Sequence, residues 1–213
     1  MKAFVYLALL ILSTTTFSYS SFAHENEKAG DKEKKGKSST ISGRIVGLKI
    51  GGGPVSVTDF NNFQKNKGGF YVGLSREFLF GKVLGLSVEG NYWLTGYTND
   101  TSFAKVSFNY LSVPVMLNVN LKGFYFAAGM YGAINLRTSR ELGNTKEYFG
   151  FQNNLFQQWD WGAVFNIGFK WKFLGFDVRY VMGLQDVLKF TPEKWRNSGL
   201  FFGASLHLMK RKK

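Results

Sequence analysis

The chain has 213 residues, with 25 glycines, 22 phenylalanines, three prolines, no cysteine and a formal net charge of +13. Without cysteine there is no disulfide framework, no thiolate metal site and no cysteine nucleophile, although the compartment stays open. The basic balance suits nucleic acid, an anionic membrane surface or charged tails, and part of it is peripheral, since Lys210, Arg211, Lys212 and Lys213 close the chain.

In chain order, the first signal is "MKAFVYLALLILSTTTFSYSSFAHE". Lys2 is a minimal positive region, Ala3 to Leu12 an apolar run, and Ser21-Phe22-Ala23 a small-x-small site. This predicts a secretory signal peptide over residues 1–23, cleaved after Ala23; ten apolar residues are too few to span a bilayer. Residues 24–42 begin with "HENEKAGDKEKKGKSST", which lacks large apolar groups and predicts a disordered, charged periplasmic leader. The barrel domain is expected from 43 to 213.

From there on, period-two alternation repeats without a helical stretch. Strand one, about 43–53, sets Val46, Leu48 and Ile50 against Gly47, Lys49 and Gly51. Strand two, about 68–80, sets Phe70, Val72, Leu74, Phe78 and Phe80 against Tyr71, Gly73, Ser75 and Glu77. Arg76 falls on its apolar face: either it snorkels to an interface or a bulge turns it inward. Strand three, about 83–97, sets Leu84, Leu86, Val88, Tyr92 and Leu94 against Ser87, Glu89, Asn91 and Thr95.

Strand four, about 104–120, opens with Val106, Phe108 and Tyr110, then changes phase to Leu111, Val113, Val115, Leu117 and Val119. That change predicts a β-bulge at Tyr110-Leu111. Strand five, about 123–137, sets Phe124, Phe126, Ala128, Met130, Ile134 and Leu136 against Tyr125, Gly129, Asn135 and Arg137. Strands six and seven lie in "WDWGAVFNIGFKWKFLGFDVRYVMGLQDV" (159–187). Strand eight, about 198–209, sets Leu200, Phe202, Ala204, Leu206 and Leu208 against Gly203, Ser205 and His207.

The connections near 81–82, 121–122 and 173–174 are tight, whereas those near 54–67, 98–103, 138–158 and 188–197 are longer and polar. Strict alternation of short and long gives an up-and-down antiparallel meander with all long loops at one end. A soluble eight-stranded barrel has the same period but points its apolar set inward. Here the polar set mixes charges with many glycines, as in Lys49, Glu77, Glu89, Lys170, Asp177 and Arg179, and all eight strands carry a large apolar set. That composition predicts a transmembrane barrel with an apolar outer band and a polar, filled lumen. The six charged residues are expected to form a structural lumen network. Tyr92, Trp93, Tyr97, Trp159 and Trp161 at one end, and Phe78, Phe80, Phe124, Trp171 and Phe173 at the other, suggest two interfacial girdles.

The stretch "YLSVPVMLNVNLKGFYFAAGMYGAINL" (110–136) resembles PorT-like outer-membrane β-barrel proteins, in which Tyr-Leu-x-x-Pro leads through a short turn into Gly-x-x-x-x-Ala-Gly-x-Tyr. Residues 160–184 and "SGLFFGASLHL" (198–208) look like that family's last strands. The resemblance implies an eight-stranded barrel in the outer membrane of a Gram-negative bacterium. One member is associated with type IX secretion, an association that likeness of strands does not transfer. The chain departs from the usual aromatic last residue by ending in Met209 and four basic residues.

Chemistry-bearing groups are few. His24 lies in the leader; His207, two residues from Ser205 and nine from Ser198, falls near the periplasmic end and is expected to plug the lumen. Asp59, Asp100, Asp186 and Glu193 scatter over the loops, and "GGGP" (51–54) lacks the helix and Lys-Ser/Thr of a phosphate loop. No cofactor or metal is expected. Lys82, Lys122 and Lys172 cluster at turns, which argues for lipid headgroups rather than nucleic acid as partner. The expectation is a non-catalytic barrel acting through its long loops, as a structural, binding or accessory protein touching another outer-membrane or periplasmic protein. A narrow channel for small solutes is the alternative, and an enzyme acting on lipid A the third possibility. In the 138–158 loop, Tyr148, Phe149, Phe151 and Phe156 either contact a partner or pack onto the barrel mouth.

Overall fold

The computed structural model describes residues 41–58, 66–98, 104–150, 155–189 and 194–208. The expected signal peptide, nearly all of the expected leader with His24, and Asp59, Asp100, Phe151, Glu193 and the basic C-terminus lie outside the described residues. Nine strands follow one another: β1 (Ile41–Thr58), β2 (Lys67–Phe80), β3 (Leu84–Thr98), β4 (Lys105–Leu121), β5 (Phe124–Leu142), β6 (Thr145–Phe149), β7 (Trp159–Trp171), β8 (Leu174–Asp186) and β9 (Arg196–His207). β1 starts two residues inside the stretch expected as leader.

All pairings are antiparallel. Successive strands pair from β1 to β5, β5 pairs β7, β7 pairs β8, β8 pairs β9, and β9 returns to β1. Eight strands therefore close a barrel, and closure leaves no ladder of unpaired amides for lipid to satisfy. β6 stands apart as a ninth strand that pairs β5 alone. The segment expected as one long loop, 138–158, is thus largely a hairpin. It turns at Gly143, whose φ of 56° is left-handed backbone that glycine adopts without strain.

Across the middle of the barrel the outward rows are mainly apolar: Ile50, Leu117, Phe126, Ile167 and Phe202 are all exposed, Leu117 at 68%. A continuous apolar surface of this kind marks contact with lipid rather than water. Arg76 stays on this outward face, between Val46 and Val88 with no register shift beside it, and its guanidinium lies 4.8 Å from the Phe78 ring centroid.

Strand four corrects the sequence reading. Even-numbered residues of β4 are buried from Val106 to Asn118, so its phase never changes. The register shift opposite Asn109 and Tyr110 belongs to β5, where Leu136 and Arg137 are both exposed and the inward parity moves from Asn135 to Thr138. What changes along β4 is the lumen. Val106, Phe108 and Tyr110 point inward because the extracellular half of the barrel encloses an apolar core. Trp93 joins that core instead of the girdle, and Tyr97 packs against it rather than against lipid, its ring 6.4 Å from that of Phe108. Trp159, Trp161, Trp171 and Phe173 are exposed on the outer surface, at the two ends.

Candidate functional site

Two places in the barrel gather chemistry: the lumen and the extracellular mouth. In the middle of the lumen, Glu89 of β3 is wholly inaccessible. It accepts from Lys49 Nζ at 2.7 Å, from Arg179 Nη2 at 2.7 and 3.0 Å, and from Asn91 Nδ2 at 3.0 Å. Asp177 lies 3.7 Å from Lys49 and accepts hydroxyl bonds from Tyr71 at 3.2 Å and Tyr125 at 2.9 Å. Arg179 also donates to Asn166 at 3.0 Å and lies 4.5 Å from the centroid of the Tyr71 ring. Room for that ring comes from glycine: a Cβ on Gly51 would sit 2.4 Å from Tyr71 Cε1, and one on Gly203 2.3 Å from its hydroxyl.

Nearer the periplasmic end, Lys170 Nζ donates to Glu77 at 2.7 Å and to Asn120 at 2.8 Å, while Asn118 donates to Glu77 at 3.1 Å. The six charged residues singled out in the sequence thus meet in two adjoining groups, with three cations facing three carboxylates. Buried charges of this kind are tolerable only when paired and hydrogen-bonded. Within these two groups the charges balance. His207, the last residue of β9, lines a small cavity below this network together with Lys49, Glu77, Lys170 and Ser205.

A third group escaped the sequence reading. Asp160, on β7, accepts from Tyr131 Oη at 3.1 Å and from Asn197 Nδ2 at 2.8 Å, and Asn197 Nδ2 lies 3.2 Å from Tyr110 Oη. The available clue was parity: Asp160 shares the inward phase of Asn166 and Lys170.

Around this group, above the charged network, the barrel is stoppered. Trp93, Phe108, Tyr110, Tyr131 and Phe201 fill the lumen, with Trp93 5.4 Å from Tyr131 and 6.1 Å from Phe201, centroid to centroid. Phe156, expected as an exposed loop aromatic, is buried 5.4 Å from Phe108 and 5.5 Å from Phe149. It forms a bridge to Leu188, and Gln157 N donates to Val187 O at 2.9 Å, so the segment leading into β7 is laced to the β8–β9 connection across the mouth. Of the four loop aromatics, Phe156 packs down, Phe149 is half-buried beside it, and Tyr148 stays exposed on the hairpin. Among the described residues no three His, Asp or Glu gather as a metal would require.

A closed antiparallel barrel of eight strands, apolar outside and filled within, is the architecture of small outer-membrane proteins. The family model described as "Outer membrane protein beta-barrel domain" matches residues 13–189, and the chain belongs to that family of the bacterial outer membrane. No curated protein matches the sequence. Among solved structures, Neisserial surface protein A superposes with a TM-score of 0.53 at 11% identity, covering 76% of this chain and 97% of that one. The attachment invasion locus protein Ail of Yersinia pestis follows at 0.46 and 14%, covering 79% of this chain and 100% of that one. At such identities the likeness extends to the fold alone.

Proposed function

We propose that this is a non-catalytic, non-conducting outer-membrane barrel of the PorT-like type. Its extracellular hairpin serves as the contact surface for another outer-membrane protein. The carrying observation is the contrast at the mouth. The lumen is plugged by Phe108, Phe156 and Phe201, while β5 and β6 continue past it with Tyr148 exposed. A filled lumen leaves function to what protrudes. The motifs at 110–136 support the PorT-like assignment, and the N-terminal pattern supports export through the general secretory route with cleavage after Ala23. The lipid A enzyme alternative draws no support from His207, which sits at the end of the barrel opposite the long loops.

The test is a photo-crosslinking residue placed at Tyr148 in cells, with Phe176 on the lipid face as control. A discrete higher-mass adduct from position 148 alone is expected. Adducts from neither position, or step conductance of the purified protein in a planar bilayer, would overturn the proposal.

A further inference from the structure

One irregularity of the barrel acts on both of its faces: inside, it brings the buried Asn135 and Thr138 together, with Asn135 Nδ2 donating to Thr138 Oγ1 at 2.8 Å. On β5 the odd-numbered residues Tyr125, Ala127, Tyr131, Ala133 and Asn135 are buried. Without the bulge, Arg137 would be the next inward residue. The extra residue places Leu136 and Arg137 side by side on the outside, and bulges re-aim side chains in this way. The re-aimed arginine is held. Asn109 Nδ2 donates to the Arg137 carbonyl at 3.1 Å, Asn109 in turn accepts from the Tyr92 hydroxyl, and the Arg137 guanidinium lies 3.8 Å from the Tyr148 ring centroid.

Arg137 has cationic company. In the β4–β5–β6 ladder, Glu141 stands opposite Lys105 on one side and Lys146 on the other, and Lys67 Nζ donates to the hydroxyl of Ser107, two residues along β4 from Lys105. Among the described residues this outward patch carries four cations and one carboxylate. Arg140 and Glu147 pair with each other on the opposite face of the hairpin. The height is specific too. Ile134 pairs Trp159, whose exposed ring belongs to the outer girdle. Ile134 stands opposite Leu111 and Arg137 opposite Asn109, two ladder steps apart, so Arg137 is roughly 5 Å above the tryptophan level, at about 3.3 Å per residue on a strand tilted by about 40°. That is the headgroup layer of the outer leaflet. A guanidinium held 3.8 Å from an aromatic ring centroid is restrained for two-pronged contact with phosphate oxygens.

We infer that Arg137, Lys105, Lys146 and Lys67 form a binding site for the phosphate groups of the phosphorylated glycolipid in the outer leaflet. The bulge at Leu136-Arg137 is the device that presents it. The site depends on the outer-membrane location and not on the protein-contact role of the hairpin, so either can fail alone.

The test uses protein purified from outer membranes, freed of lipid in neutral detergent and titrated with bis-phosphorylated lipid A in mixed micelles, with adducts counted by native mass spectrometry. Binding is expected to weaken about thirty-fold in R137Q/K146Q, the scale for losing two cations at an anionic surface. K105Q/K146Q, which spares the Arg137–Tyr148 stack, should lose less, and R140Q should bind as the parent does. Heat-modifiable gel mobility checks that each variant is folded. Equal binding of dephosphorylated lipid A would overturn the site. So would equal binding of phosphatidylglycerol, or full displacement by millimolar inorganic phosphate, because each removes the glycolipid as the specific occupant.

Discussion

Replacing Glu89 by glutamine changes two atoms' chemistry and almost no volume. The wild-type carboxylate takes up Lys49 on one oxygen and Arg179 on both, with Asn91 as a third donor. A glutamine oxygen can still accept one cation, but its amide nitrogen then points donor to donor at the other. One charge-assisted bond is lost, worth about 1.5–3 kcal/mol. Asp177 is left to balance both Lys49 and Arg179 in a site where Arg179 is only 3% accessible. Removing one partner of a buried pair costs about 3–5 kcal/mol, so E89Q is expected to lose about 3–4 kcal/mol. Adding R179M removes the orphaned cation and restores neutrality, and the double variant should recover at least about 1 kcal/mol relative to the sum of the singles. Urea unfolding in vesicles, followed by the fluorescence of lumenal Trp93, reads both quantities. An E89Q loss under about 0.5 kcal/mol, or strict additivity, would refute the view that the lumen is held by charge pairing.

Other outcomes follow from individual contacts. Y125F removes a hydroxyl bonded at 2.9 Å to the buried Asp177 carboxylate and should cost about 1.5–3 kcal/mol in the same unfolding assay. F108A empties a fully buried site in the aromatic plug, with an expected loss of about 3–5 kcal/mol. G129A would place a Cβ 1.9 Å from the Val115 carbonyl oxygen of the neighbouring strand. Its folded yield on a heat-modifiable gel should fall well below the parent's, by about 1–3 kcal/mol of overpacking. D186N should change stability by less than about 1 kcal/mol, since its pair with Arg196 at 3.6 Å is more than a third exposed.

The barrel was legible because lipid imposes a period of two on every strand. Leu48 and Ile50, Phe165 and Ile167, and Phe176 and Val178 all face out as their parity requires. The tight turns and the charged lumen residues were legible for the same reason. Parity misled where the environment on the inner face changed. Val106, Phe108 and Tyr110 are apolar and point inward, because above the charged network the lumen closes on an aromatic plug, and an apolar residue then fits either side of the strand. A phase change in residue type was taken for a change in backbone phase, and the real bulge one strand away passed unnoticed because Leu136 and Arg137 continue the apolar–polar alternation of the residues before them, although both face out. The hairpin at 138–149 was hidden by its polar faces, which stand above the membrane band where neither side must be apolar. Phe156 was placed by a non-local bridge to Leu188 that no local pattern encodes.

The central claim is that the even-numbered face of β7 looks into a sealed lumen and the odd-numbered face into lipid. The chain has no cysteine, so single cysteines carrying a nitroxide can be placed from Trp161 to Trp171 without a background variant. In lipid vesicles the labels at 161, 163, 165, 167, 169 and 171 should collide readily with oxygen and those at the intervening positions with neither oxygen nor a water-soluble nickel reagent. Nickel access on the odd face, or on the even face along the whole strand, would contradict the account, the first by putting water outside and the second by opening the lumen.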